Sequence, residues 1–333
     1  MKTGLRRLRP PGAGKPGILR ALRADLLDRV QLVCPACTWK QGSPAALRVD
    51  RGEPGPGGDI REGSLRCVRC GDSYPVVHGV AVLVPDGHRR VAQELAAVED
   101  PLRSLGPHPL AQFGDLLPAA DREGLRLGDF WPRLAALPAK GLAVDLSCSA
   151  GRALLGLGRT AGFALGIESS FVAARIAREV AATGRAALRI VEEGAFAREA
   201  VAEVPLPPPG RVEVVVADPE RPPLAPGIAG LVLAANLLER QGDPAGFVRR
   251  SASLLAPGGT LAIASPFAWW EETVPREAWL GKGEERARDA LLRLLREIGH
   301  EVVEEADLEL VLRESARVEQ IVRPHLVVSK SRG

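Results

Sequence analysis

The chain has 333 residues, of which 44 are Lys or Arg and 41 are Asp or Glu, giving a formal charge of +3. Hydrophobic residues at 46% and charged residues at 26% are typical of a globular protein and exclude a wholly disordered chain. The near balance of charge gives no polyanion-binding signature. No apolar run approaches the roughly 18 residues that a membrane helix needs. The length favours one large domain and one small domain.

We expect residues 1–27 to be a basic N-terminal tail or helix. It has no apolar core of the kind found in secretory signals, so we expect a cytoplasmic protein. A solvated tail is the favoured interpretation, and an arm that binds nucleic acid is the alternative. The basic residues before Asp25 are Lys2, Arg6, Arg7, Arg9, Lys15, Arg20 and Arg23.

Four of the five cysteines form two CxxC pairs. Such a turn directs both sulfurs to one side of a loop, and two turns complete a tetrahedron, so the spacing favours a structural zinc site. Two disulfides are the alternative, which the missing secretory signal disfavours. A redox role is disfavoured because no thioredoxin-like setting is present. The predicted ligands are Cys34, Cys37, Cys67 and Cys70, and Cys148 stands apart.

The segment Cys70–Pro85 reads CGDSYPVVHGVAVLVP. It resembles the CGxxYP segment and following strand of the small zinc-ribbon activators of RNA and translation-factor methyltransferases. The resemblance covers about residues 28–86 and implies an N-terminal zinc ribbon. Residues 87–139 are expected to form a helical linker between this ribbon and a larger domain.

Strand and helix patterns alternate after residue 140. Alternating βα units predict an α/β fold with a mostly parallel sheet, whose ligands lie at the carboxyl ends of the strands. The predicted strands are 142–146, 163–167, 212–217, 231–234, 261–264, 302–303 and 326–328. The predicted helices are 150–159, 170–182, a third that begins at Asp243-Pro244 and ends at Pro257-Gly258-Gly259, and 284–298.

The loop after the first of these strands reads DLSCSAG, and an acid ends the next strand. This pattern resembles the cofactor loop of class I S-adenosylmethionine (SAM) methyltransferases, although serines replace two glycines. The resemblance implies a seven-stranded Rossmann-like sheet, with Glu168 at the ribose hydroxyls and Asp218 at the adenine amino group. The cofactor residues it implies are Asp145, Ser147, Cys148, Ser149, Gly151, Glu168, Asp218 and Asn236.

Two further segments narrow the resemblance. Residues 265–281 read SPFAWWEETVPREAWLG, and residues 312–317 read LRESAR, with Gln320 and His325 downstream. Together with LAANLLERQGDP before them, they resemble the mercaptohistidine N-methyltransferase domain of ovothiol biosynthesis over residues 140–331. The sulfoxide-synthase modules of those enzymes are absent from this sequence. The resemblance therefore indicates the reaction class of this chain more specifically than its substrate.

The resemblance implies methyl transfer to an imidazole nitrogen of a histidine-derived small molecule or peptide. A carboxylate or His would orient that ring or take its proton, and we consider Glu271 together with the catalytic candidates Glu272, Glu314 and His325. Because His325 lies in a predicted strand, a structural core histidine is its alternative. Trp269, Trp270 and Trp279 are candidates for an aromatic pocket and Arg313 for binding a substrate carboxylate, while lid packing and a structural ion pair are their alternatives. Cys148 is expected to wall the cofactor pocket.

Two other functions stay open. The ribbon and the basic tail could deliver the enzyme to RNA or to a protein, although no aromatic basic platform and no NPPY-type motif accompanies them. The third interpretation is a protein that binds SAM without turnover. The charge of the tail favours a macromolecule, whereas segments 265–281 and 312–325 favour a histidine compound.

Overall fold

The computed structural model describes residues 22–23, 26–52 and 59–332 of the chain. Most of the basic tail therefore lies outside the described residues, as does the middle of the loop between the two CxxC pairs. Within the described residues, no helix is long and apolar enough to cross a membrane.

The N-terminal part, here called the cysteine module (residues 22–23, 26–52 and 59–86), is built on a four-stranded sheet in the order β2-β4-β5-β6. All neighbouring strands in it are antiparallel. Its elements are β1 (Leu22–Arg23), α1 (Leu26–Val30), α2 (Pro35–Lys40), β2 (Leu47–Arg51), β3 (Asp59–Ile60), β4 (Gly63–Cys67), β5 (Ser73–Val77) and β6 (Val80–Ala81).

A helical segment follows the cysteine module. Its first helix is held against the larger domain, because Glu94 accepts hydrogen bonds from the backbone N–H groups of Phe171 and Val172. The helices are α3 (Gly87–Ala97), α4 (Pro101–Ser104), α5 (His108–Phe113), α6 (Ala119–Arg122) and α7 (Phe130–Ala135).

The larger domain is built around a seven-stranded sheet in the order β11-β8-β7-β12-β13-β17-β14. Its strands are β7 (Leu142–Asp145), β8 (Phe163–Glu168), β11 (Val212–Val216), β12 (Ala229–Ala235), β13 (Leu255–Ser265), β14 (His300–Asp307) and β17 (His325–Ser331). Its helices are α8 (Arg152–Thr160), α9 (Phe171–Thr183), α10 (Pro244–Ser253) and α11 (Ala287–Glu297), and two hairpins are added by β9 (Arg185–Glu193), β10 (Phe196–Glu203), β15 (Leu310–Ser315) and β16 (Val318–Val322).

Strand directions confirm the predicted class I methyltransferase fold. The five strands from β11 to β13 are parallel, and β17 runs antiparallel to both of its neighbours. Alternate residues of the strands enter apolar clusters on the two faces; for example, Val144 joins one cluster and Ala143 the other. This burial on both faces is what a parallel sheet covered by helices requires.

Both ends of α9 follow local sequence signals, whereas the end of α10 does not. Ser170 caps α9 by accepting a hydrogen bond from the N–H of Ala173, and Gly184 ends that helix at φ +69°. The predicted end of the helix beginning at Asp243-Pro244 is wrong, because α10 ends at Ser253. The Pro257–Gly259 turn instead lies inside β13, where the pairing with β12 skips from Leu255 to Thr260.

The cysteine module packs on the edge of the large sheet. Val82 forms a parallel bridge with Val216 of β11, and the N–H of Leu83 donates to the Val216 carbonyl at 2.7 Å. The indole N–H of Trp39 donates to the Pro222 carbonyl at 2.7 Å. Leucines of the module share one apolar cluster with a face of the sheet. The module is therefore continuous with the larger domain rather than tethered to it.

Candidate functional site

The four predicted metal ligands lie together in the cysteine module. Their sulfurs are all within 4.8 Å of one another, with 3.7 Å between Cys34 and Cys70 and 3.8 Å between Cys37 and Cys67. All four are free rather than disulfide-bonded. Four sulfurs each about 2.3 Å from one zinc ion lie roughly 3.8 Å apart at tetrahedral angles, so the spacing fits such an ion. Tyr74 Oη, 3.2 Å from Cys34 Sγ, is placed to donate to a thiolate.

A cavity of about 550 Å³ opens at the carboxyl ends of the central strands. Glu168 at the end of β8 lines it, together with Asp218 after β11 and Asn236 after β12. Ser147 and Ser149 from the loop after β7 complete the polar wall. The structure thus brings together five of the eight predicted cofactor residues.

The loop after β7 is held by the carboxylate of the neighbouring strand. The Ser149 N–H donates to Glu168 Oε2 at 2.8 Å, and the Ser170 N–H donates to Oε1 at 3.0 Å. Ser149 adopts φ +47° and Gly151 φ +98°. The turn therefore keeps the left-handed geometry that a glycine-rich loop adopts, at some cost at Ser149 because a side chain is disfavoured there.

Two buried oxygens at the strand ends have no hydrogen-bond partner: Asp145 Oδ2 and Asn236 Oδ1. Burial raises the pKa of Asp145 to about 7, and the charge of Glu168 adds to that effect. Unsatisfied buried acceptors carry a desolvation cost that a ligand with N–H donors would relieve. Of the two residues only Asn236 lines the cavity, so its oxygen is placed to accept a hydrogen bond from the amino-acid end of a cofactor such as SAM.

The remaining three predicted cofactor residues do not line the cavity. Asp145 lies below it and orients the loop by accepting the Ser147 N–H at 3.3 Å. Gly151 begins α8. Cys148 is fully buried, and its sulfur would lie 2.8 Å from a Cβ placed at Gly166, so it packs the loop against β8.

A second cavity of about 520 Å³ adjoins the first. The two share four wall residues from three segments of the chain, and the second is otherwise mostly apolar. Glu239 is buried in its wall, where the Ser265 hydroxyl donates to it at 2.9 Å and burial raises the pKa of its carboxyl. The shared residues are His108, Asn236, Arg240 and Leu310.

The three tryptophans after β13 have different positions. Trp270 is 64% exposed and lines the second cavity. Trp269 and Trp279 stack on each other with ring centroids 6.2 Å apart, and the Trp279 indole N–H donates to the Val274 carbonyl at 2.7 Å. Only Trp270 among these three therefore lines the second cavity.

The predicted catalytic residues lie outside the walls of both cavities. Glu272 is exposed in the segment after β13. Glu314 is also exposed, although its negative charge acts to raise the pKa of His108. The His325 ring is held between Asp307 at 2.6 Å and Glu305 at 3.0 Å on β14. The alternative catalytic candidate Glu271 is paired with Arg276.

Arg313 connects the two hairpins. Its guanidinium lies 3.4 Å from Glu192 of β9 and 3.5 Å from Glu319 of β16, and it donates to the Gly124 carbonyl at 3.3 Å. Its side chain is only 9% exposed. This matches the structural ion pair that was the alternative to substrate binding.

Sequence reasoning missed three residues of the second cavity. Glu239 and Arg240 follow β12, so the rule that ligands bind at strand ends could have found them. His108 precedes the sheet by more than thirty residues and carries no motif. Only the packing of α5 against β9 and β15 brings it to the site.

Comparison with known protein families supports a methyltransferase domain in the larger part of the chain. Residues 144–263 match the family model described as a methyltransferase domain. No curated protein matches the chain. The solved complex between the Haloferax volcanii Trm112 methyltransferase activator and a candidate methyltransferase is similar at 17% identity and a TM-score of 0.41, over 60% of this chain and 87% of that one. A SAM-dependent methyltransferase from Mesorhizobium loti is 18% identical with a TM-score of 0.39, over 60% and 96% of the two chains.

The sheet order, the acidic strand ends and the matched family model define an enzyme of the class I methyltransferase fold. The protein is a SAM-dependent methyltransferase whose methyltransferase domain includes residues 144–263.

Proposed function

We propose that this enzyme transfers a methyl group from SAM to an imidazole nitrogen of a histidine-derived small molecule or peptide. The observation that carries the proposal is the second cavity, which shares a wall with the cofactor cavity. Two segments that resemble the mercaptohistidine N-methyltransferase domain contribute to it, through Pro266 and Trp270 in one and Leu312 and Gln320 in the other. A cytoplasmic location, where free thiols persist, belongs to the same proposal.

The cofactor would be held by residues of the first cavity. Glu168 would accept hydrogen bonds from the ribose hydroxyls and Asp218 one from the adenine amino group, as the family resemblance implies. The unpaired oxygen of Asn236, which lines the cavity, would accept a hydrogen bond from a donor at its amino-acid end. When bound, SAM supplies an electrophilic methyl group on a sulfonium sulfur.

The second cavity, here called the acceptor cavity, suits a small zwitterion with a planar ring; the first is here called the cofactor cavity. Trp270 offers an apolar face for an imidazole. Glu239 and Arg240 are adjacent charged residues that would pair with an ammonium and a carboxylate. The enzyme would then orient a neutral imidazole and keep water away from it, because a protonated ring lacks the lone pair that methyl transfer needs.

We also propose that Cys34, Cys37, Cys67 and Cys70 hold one structural zinc ion. The spacing of the sulfurs supports this, as does the sequence resemblance to zinc ribbons. Four thiolates leave no open coordination position, so the ion would stabilise the cysteine module and take no part in methyl transfer.

The decisive experiment uses the full chain with isotope-labelled SAM. Free histidine derivatives, histidine peptides and bulk RNA are offered separately, and the products are analysed by mass spectrometry. We expect one methyl group on an imidazole nitrogen, and a lower rate for the Glu239→Gln and Arg240→Ala variants than for the control Arg249→Ala, whose side chain is exposed. Methyl transfer to RNA, lysine or a carboxylate oxygen, with every histidine compound unmodified, would overturn the proposal and favour a macromolecular substrate.

A further inference from the structure

His108 occupies the boundary between the two cavities. It is the first residue of α5 and lies outside the sequence matched by the methyltransferase family model. His108 lines both the cofactor cavity and the acceptor cavity, as only three other residues do among those described. Among the described residues, its ring takes part in no side-chain hydrogen bond or ion pair, so its nitrogens are available to a ligand.

The surroundings of His108 favour a neutral ring. The protein around it lowers its pKa by desolvation, and the positive charge of Arg240 lowers it further, while Glu314 acts in the opposite direction. His108 is nevertheless exposed, and it lines both cavities. A neutral imidazole has one nitrogen lone pair, which can accept a proton.

We propose that His108 is a catalytic residue that accepts the N–H proton of the acceptor while the other ring nitrogen is methylated. This inference rests on the function proposed above. Among the residues at the boundary it is the one whose uncharged side chain can both accept and later release a proton near neutral pH. Asn236 cannot be protonated there, and Arg240 is already charged.

The lone pair of the acceptor nitrogen forms the new N–C bond while the C–S bond of SAM breaks, and its electron pair stays on sulfur. The acceptor would carry a positive charge after this transfer, and it loses its N–H proton to His108. The products are a neutral N-methylimidazole, S-adenosylhomocysteine and protonated His108, which then releases its proton to solvent. Accepting the hydrogen bond also makes the attacking nitrogen more electron-rich.

The first measurement is the pKa of His108 by NMR of ring-labelled enzyme, in which the His108→Asn variant assigns the signal. Because the ring lines the cofactor cavity, the sulfonium charge of SAM should lower its pKa relative to the complex with neutral S-adenosylhomocysteine. His88, exposed on α3, serves as the internal control and should not differ between the two complexes. A His108 pKa that is the same in both complexes would overturn the inference whatever the acceptor is.

The second measurement is turnover of a histidine compound as a function of pH. General-base catalysis contributes about 10²–10⁴-fold, so we expect His108→Asn to lower kcat by on the order of 10²-fold with a small change in KM. The acid limb of kcat that belongs to His108 should disappear in this variant and persist in His88→Asn. Wild-type kcat and an unchanged pH profile in His108→Asn would overturn the role of His108 and leave the proposed function standing. A wild-type enzyme that is inactive on every histidine compound would overturn the proposed function and, with it, the proton transfer to His108.

Discussion

Replacement of Glu168 by alanine tests the geometry of the cofactor cavity. Glu168 is 7% exposed, and its carboxylate accepts hydrogen bonds from the N–H groups of Ser149 and Ser170. It would accept two more from the ribose hydroxyls. A hydrogen bond to a charged group contributes about 1.5–3 kcal/mol, and water replaces part of it once the carboxylate is gone. We therefore expect a loss of about 2–3 kcal/mol in SAM binding, or roughly 30- to 150-fold in Kd.

Titration calorimetry with SAM measures this loss directly. The Glu179→Ala variant is the matched control, because Glu179 is exposed on α9. This substitution removes the same kind of side chain at a position away from the cavity. Thermal unfolding of both variants separates weaker binding from weaker folding. If Glu168→Ala binds SAM as tightly as the control does, then the strand end that carries Glu168 is not the ribose site.

Three further predictions concern the metal, a buried acid and the acceptor. Elemental analysis of protein purified without added metal should find about one zinc per chain, and Cys67→Ser should lower both the zinc content and the thermal stability; a value near zero in the wild type would contradict the site. The pKa of Asp145 is raised to about 7 in the folded protein, so the folded state binds the carboxyl proton more tightly than the unfolded state does. The free energy of unfolding should therefore fall as pH rises from about 4 through 7. Asp145→Asn should remove this dependence and stabilise the free protein at pH 8 by at most roughly 4 kcal/mol; a stability profile identical to that of the wild type would refute the assigned burial cost. Methylation should also decline at low pH, because the acceptor imidazole protonates near its usual pKa of about 6.5; a rate independent of pH down to 5 would argue against an imidazole acceptor.

The central sheet could be predicted because its strands carry strong local signals. Val212–Val216 is a run of β-branched residues around a single acid, and Leu142–Asp145 ends in the acid of the cofactor loop. Strand ends meet at one edge of a parallel sheet, so acids that follow neighbouring strands, such as Glu168 and Asp218, are brought together by topology alone. This is why the cofactor wall was predicted more fully than the acceptor wall.

The acceptor cavity could not be predicted in the same way, because its walls come from segments distant in sequence. The β9–β10 and β15–β16 hairpins were not predicted, and it is β15 and β16 that supply Leu310, Leu312 and Gln320. Arg313 in the same hairpin is paired with Glu192, which no local pattern indicates. Motif resemblance indicated the segments that carry these residues, whereas tertiary packing decides which of their side chains line the second cavity.

The cysteine module contacts the larger domain at strand β11, next to the cofactor cavity. In the sheet order, β11 is an edge strand, and an uncovered edge leaves unpaired N–H and C=O groups. The module covers part of that edge through Val82 and Leu83, which pair with Val216. Asp218 follows two residues later and borders both the cofactor cavity and a crevice of about 370 Å³ against the module. A change that loosens the module therefore acts on the strand that positions Asp218, so loss of zinc should weaken SAM binding even though the cysteines are not part of the cofactor cavity.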